Sequence, residues 1–145
     1  MSAEDALAFV DTNVLVYAFE RSESPRKRIA QELLDGLMNG DRLRLSTQVM
    51  QELYITLTRK VAQPATADEA LAILEDLAAW PVTTVDFPAI RAAVELARDA
   101  QLSFWDALVL VAAARAGAAV LYTEDLNHDQ EILGVRINNP FRDSS

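Results

Sequence analysis

The chain has 145 residues, a net charge of −9, 51% apolar residues and no cysteine. That length suits one domain with a sizeable core, and the apolar fraction excludes disorder as the main state. The missing cysteines exclude disulfides, thiolate metal sites and a cysteine nucleophile, and the acidic balance argues against a general nucleic-acid coater, whose binding rests on neutralising phosphates.

Taken in chain order, residues 7–11 read as a buried strand. Leu7-Ala8-Phe9-Val10 is an unbroken apolar run, as strands covered on both faces tend to be, and Asp11 ends it. A short helix is expected over 13–20. Ser24-Pro25 opens the next helix, with the serine as N-cap and the proline in the first turn; Ile29, Leu33 and Leu37 recur at helical spacing and Gly40 closes it. Residues 43–46 form a second strand. From Thr47 a helix follows with Val49, Leu53, Leu57 and Val61 spaced by four. Thr66-Ala67-Asp68-Glu69 is a capping box for a helix to about Ala79, which Pro81 ends. Residues 82–85 are a third strand. Asp86 caps a helix with Pro88 near its first turn, and Ile90, Val94 and Ala97 run along it. Ser103 opens a very apolar helix over 105–116, ended by Gly117. Residues 119–123 form a fourth strand, 129–133 a short helix, and 135–137 a fifth strand.

Strands alternating with helices imply an α/β domain with a parallel sheet covered on both faces and right-handed crossovers. Ligands bind such sheets outside the carboxyl ends of the strands. No repeat, low-complexity tract or linker divides the chain, so a single domain over 1–145 is expected. The N-terminus lacks the pattern of a signal peptide and no apolar run reaches the ~18 residues of a membrane span. The expectation is a soluble, cytoplasmic protein.

Four acids stand beside apolar segments: Asp11, Glu52, Asp106 and Asp125. Each has an ordinary role on its own. Asp11 suits a turn or N-cap, Glu52 a solvated helix flank, Asp106 the first turn of a helix, and Asp125 a loop in which Glu124 competes with it. Together they sit where an α/β fold gathers groups at one sheet edge. Clustered carboxylates repel and need a cation or a proton; oxygen ligands suit Mg²⁺ or Mn²⁺. His128 is the only histidine, which excludes a His-rich zinc site; it fits a helix start or a contact to substrate phosphate. The basic groups Arg26-Lys27-Arg28, Arg42 with Arg44, and Arg59-Lys60 read as solvated edges before phosphate contacts. Phosphate-binding glycine loops and the nucleophile elbow of serine hydrolases are missing.

Four blocks in order then carry a resemblance: residues 9–18, from Phe9-Val10-Asp11-Thr12-Asn13 onward; residues 46–53, with Glu52; Leu102-Ser103-Phe104-Trp105-Asp106-Ala107; and residues 121–128, with Thr123-Glu124-Asp125-Leu126-Asn127-His128. The chain resembles the PIN-domain ribonucleases and, within them, the VapC-type toxins of toxin–antitoxin pairs. The resemblance implies a three-layer α/β/α domain with a central, mainly parallel sheet of about five strands. It implies metal-dependent endonucleolytic RNA cleavage, with Asp11, Glu52, Asp106 and Asp125 holding Mg²⁺ or Mn²⁺. Thr12, Asn13 and Thr123 would be polar support, with Glu124 and His128 assisting. Asp129 stands where many relatives carry glycine after the Asn-His pair. A cognate antitoxin and a homodimer or higher homo-oligomer are the implied partners, with Tyr17, Phe19, Tyr54 and Trp80 as candidate contact groups. The competing reading is a binding module that engages RNA or antitoxin without cutting. A haloacid-dehalogenase-type phosphotransferase would want an acid at Asn13, and a receiver domain a late lysine, whereas the only lysines are Lys27 and Lys60.

Overall fold

The computed structural model describes residues 5–142. Its elements are β1 (Ala8–Val10), α1 (Thr12–Phe19), α2 (Pro25–Asn39), β2 (Leu43–Ser46), α3 (Thr47–Arg59), α4 (Ala67–Leu77), β3 (Val82–Thr83), α5 (Phe87–Ala100), α6 (Phe104–Arg115), β4 (Val120–Tyr122), β5 (Glu131–Ile132) and β6 (Val135–Asn138). The strands form one sheet in the order β3-β2-β1-β4-β6-β5, parallel except for the β5–β6 pair. The chain builds outward from β1 through β2 to β3, then returns to place β4 on the other side of β1. That reversal opens a crevice at the carboxyl ends of β1 and β4, the place where such sheets bind ligands. Register fixes it: Val10 pairs with Tyr122, so Asp11 and Thr123 leave the sheet side by side.

Capping residues set the helix starts. Ser24, Asp86 and Ser103, expected from the sequence, and Ser46, expected only as the end of a strand, each accept from the backbone N–H three residues on, and Thr66 with Glu69 completes the capping box of α4. The helix α6 is apolar on every side and buried from Ala107 to Ala113. It packs against α5 on one side and on the sheet on the other. The helices α1 to α4 pack among themselves, α1 on α2 and α3, and α3 on α4, so the sheet lies between two helical layers. The main core joins Phe9, Leu15, Leu45, Leu53, Leu110 and Leu121 across all three layers. Among the described residues no helix is long and apolar enough to cross a membrane.

The structure corrects the reading of residues 129–133. No helix forms there; β5 pairs antiparallel with β6 and makes a sixth strand. Leu133 and Gly134, at φ 55° and 77°, make the two-residue connection, the conformation that lets a tight hairpin follow strand twist. The third strand stops at Thr83 because the chain turns away, with the Val85 N–H donating to the Thr47 hydroxyl at 3.1 Å. On α5 the packing face is Ala89 and Ala93, whereas Ile90 and Val94 are 37% and 52% exposed. Small side chains there let the helix approach the alanine-rich surface of α6 closely. The large groups Tyr17, Phe19 and Trp80 are half-buried against the core rather than displayed.

Candidate active site

Asp11 is placed by two elements at once. Its backbone N–H donates to the Tyr122 carbonyl at 3.0 Å, extending the β1–β4 ladder, while its side chain caps α1. Oδ1 accepts from the Thr12 N–H at 2.7 Å, and Oδ2 accepts from the Thr123 hydroxyl at 2.8 Å. The residue is 8% exposed. Burial disfavours the charged carboxylate and outweighs these two hydrogen bonds; with the negative charges of Asp125 and Glu52 adding, the pKa rises from 3.8 to about 6.

Thr123 is fully buried and works in both directions. While its hydroxyl donates to Asp11, its oxygen accepts from the Asp125 N–H at 3.1 Å. This turns the chain after β4 so that Asp125 faces Asn13, whose amide donates to Asp125 Oδ2 at 3.1 Å. Partial burial raises the Asp125 pKa, and the charges of Asp106 and Glu124 raise it further, against the opposing Asn13 hydrogen bond. Glu52 comes from the second turn of α3, beside the buried Val49 and Leu53 that seat the helix, and accepts from the Thr12 hydroxyl at 3.2 Å. Asp106 lies in the first turn of α6, where its N–H donates to the capping Ser103 hydroxyl at 3.1 Å.

All four acids line one cavity of about 600 Å³ at the sheet edge, together with Thr12 and Asn13. Three of the expected supporting residues, Thr123, Glu124 and His128, lie outside that lining; Thr123 is buried behind Asp11. Glu124 turns away to Arg26, in contact with its Nη1, and accepts from the Tyr17 hydroxyl at 3.2 Å. The Arg26 guanidinium also covers the Tyr17 and Phe141 rings, at 5.5 and 5.2 Å from their centroids, so Glu124 belongs to a separate cluster that clamps α1, α2 and the C-terminal segment. Of the two neighbouring acids, Asp125 is the one that faces the cavity. His128 accepts at Nδ1 from the Asn139 N–H at 3.0 Å, and its Nε2 lies 3.5 Å from Asp129. It fastens the loop after β4 to the end of β6.

The lining also includes Ile55, Thr56 and Val109, which the sequence does not single out, Gln48, Gln51 and Trp105, which it notes only inside motif blocks, and Lys60, which it reads as a solvated edge before a phosphate contact. Gln48 stands one turn before Glu52 on the same face of α3. It is 5% exposed, and both of its carboxamide atoms lack a hydrogen-bond partner. Only that i−4 spacing from an acid could have drawn attention to it.

Among the described residues no three His, Asp or Glu side chains converge closely enough to form a closed ligand set for one ion. Hydrogen bonds from Thr12, Asn13 and Thr123 hold the carboxylates at the cavity wall. Mg²⁺ keeps several waters and takes only one or two carboxylates directly, so an open, all-oxygen set of this kind fits such an ion with water filling the gaps.

A model of the PIN domain family matches residues 8–130. Ribonuclease VapC23 of Mycobacterium tuberculosis is 35% identical over 121 residues, covering 82% of this chain and 93% of that protein. Among solved structures, VapC20 of Mycobacterium tuberculosis, a sarcin–ricin-loop-cleaving toxin, superposes with a TM-score of 0.64 at 24% identity over 81% of this chain and 89% of that one. A toxin–antitoxin complex from Klebsiella pneumoniae contains a chain that matches with a TM-score of 0.67 at 20% identity, over 92% of this chain and 97% of that one. With the family model spanning the sheet crevice and all four of its acids, the chain belongs to the PIN-domain family, among its VapC-type members.

Proposed function

We propose that this chain, folded as one domain, is a divalent-metal-dependent endoribonuclease and the toxin of a toxin–antitoxin pair. The observation that carries the reading is the convergence of Asp11, Glu52, Asp106 and Asp125 on one cavity at the carboxyl ends of β1 and β4. There a buried carboxylate is held at a pKa of about 6 by desolvation and by its acidic neighbours. Such a site is unfavourable as it stands and becomes favourable when a cation enters. The ribonuclease name of the 35%-identical relative supports the activity, and the toxin–antitoxin complexes among the structural neighbours support an antitoxin partner. Homo-oligomer formation is part of the same reading.

Mg²⁺ or Mn²⁺ would be held by these four acids, in part through water. When bound, such an ion makes water a better nucleophile and offsets the charge that builds on phosphoryl oxygens. The chain's own part is orientation. Thr123 and the Thr12 N–H fix both oxygens of Asp11, Thr12 fixes one oxygen of Glu52, and Asn13 fixes one oxygen of Asp125. Carboxylates held in this way would need little reorganisation to receive an ion and a phosphodiester.

The test is cleavage of structured RNA by purified protein with Mn²⁺ or Mg²⁺ against EDTA, with Asp11→Asn alongside. Metal-dependent cutting that falls by at least about a hundredfold in the variant, as expected for loss of a principal charged group in a site of this kind, is the predicted result. A folded, metal-loaded, partner-free protein that binds RNA but cuts none would favour the non-catalytic binding module.

A further inference from the structure

Beyond the acids, the cavity lining changes character along α3 and α6. Trp105, next to Asp106, is 62% exposed, and Ile55 is 40% exposed. The Trp105 ring is steadied by an edge-on contact with Phe104, centroids 5.2 Å apart at 72°. Lys60, at the C-terminal cap of α3, is the single basic side chain in the lining. Unlike Arg21, Arg26, Arg98, Arg115 and Arg136, it makes no ion pair among the described residues. Gln48 is 5% exposed, with its carboxamide buried and unpartnered.

An exposed tryptophan alone is unremarkable, because single apolar groups are common on protein surfaces. This one shares a cavity with a free cation, an unsatisfied buried amide and the carboxylate cluster. A volume of about 600 Å³ lies within the range of pockets that enclose one small ligand. We propose that the α3–α6 side of the cavity is a nucleotide subsite, in which Trp105 stacks an unpaired base beside the scissile phosphate, Lys60 takes an adjoining backbone phosphate, and Gln48 pairs with a polar edge of the bound nucleotide. The inference rests on the ribonuclease reading and specifies it: the bond cut is flanked by a base that is out of its helix. Stacking tolerates any base because every base has a π face, whereas a carboxamide, carrying donor and acceptor together, adds preference for an edge with the matching pair. A protein helix is the less favoured occupant, since the apolar part of the lining is limited to Ile55, Trp105 and Val109 and adjoins charged groups.

The test is binding of U6 and A6 hexamers, each free and annealed to its complement, in Ca²⁺, with Mn²⁺-dependent cleavage measured in parallel. Protein fluorescence and the anisotropy of labelled RNA are the readouts. Wild type is expected to bind the single strands in preference to the duplexes, with quenching that disappears in Trp105→Phe while affinity is nearly kept. Trp105→Ala weakens single-strand binding about tenfold or more, and Lys60→Gln lowers the salt slope by about one. Gln48→Met weakens binding yet raises the melting temperature, because it removes an unsatisfied buried amide; a merely structural glutamine would show the opposite. If wild type binds and cuts RNA while Trp105→Ala leaves hexamer affinity unchanged, the subsite is wrong and the ribonuclease reading stands. Unchanged hexamer binding with weakened binding of a cognate antitoxin would assign this face to protein. Neither binding nor cutting of any RNA by wild type would overturn both.

Discussion

Asp11 shows how a single carboxylate links the fold to the site. It ends a buried strand, caps a helix and sits with its pKa raised from 3.8 to about 6, chiefly by burial. In the metal-free protein the folded state binds this proton more tightly than the unfolded chain does. Stability contributed by Asp11 is therefore full below about pH 4, falls as pH rises toward 6, and stays lost above it. Asp11→Asn removes that dependence. The metal-free variant is expected to melt higher than wild type at pH 8, by roughly 1–3 kcal/mol of stability, with the difference vanishing near pH 4. Its two hydrogen bonds to Thr12 and Thr123 are partly disturbed, which trims the gain. Thermal denaturation of both proteins in EDTA across pH 4–8 checks it, and a variant less stable at pH 8 than at pH 4 relative to wild type would contradict the electrostatic account. The four acids were legible in the sequence because each adjoins an apolar run. Composition and spacing alone do not separate Glu124 from Asp125, and only the resemblance favours Asp125; the Thr123 turn and the Arg26 clamp decide which neighbour faces the cavity.

At the scale of elements, helix starts were readable and packing faces were less so. Capping is local chemistry, so Ser24, Thr66, Asp86 and Ser103 mark real N-termini, as does Ser46, which the sequence shows only as a strand end. Which face of α5 packs depends on a partner helix whose surface is not encoded nearby, and alanines won over Ile90 and Val94. The β5–β6 hairpin was missed because its turn uses Leu133 at positive φ instead of the Asn or Asp that usually signals it. One cap has functional weight. Ser103 holds the first turn of α6, which carries both Trp105 and Asp106 into the cavity. Ser103→Ala should cost about 1 kcal/mol of stability, while α6 stays in place through its buried run from Ala107 to Ala113. Activity should fall about tenfold or more, since small misplacements of reacting groups are expensive. Urea unfolding together with RNA cleavage would separate the two effects; a loss of activity no larger than the loss of folded protein would mean that the cap serves the fold alone.

For the molecule as a whole, a net charge of −9 sets the terms on which it meets RNA. Phosphate contacts normally supply most nucleic-acid affinity, and here the cavity offers one lysine against four carboxylates. The sheet reversal between β1 and β4 gathers those acids, and the alternation of strands and helices made that edge foreseeable; the strand order that makes it a crevice comes from long-range pairing. A bare cavity of this charge repels a polyanion. Removing the metal should therefore abolish binding as well as cleavage, and adding Mn²⁺ should restore both. Protons compete with the cation at Asp11. Metal affinity, and RNA affinity with it, should rise with pH and level off above about 6, the pKa of Asp11 in the metal-free protein. Calorimetric titration of Mn²⁺ into wild-type protein between pH 5 and 8, with RNA anisotropy at each pH, checks the linkage. Asp11→Asn should bind the ion weakly and with a flatter pH dependence. RNA affinity that persists in EDTA at physiological salt would instead place the main RNA contact on another surface, and would separate binding from the carboxylate site.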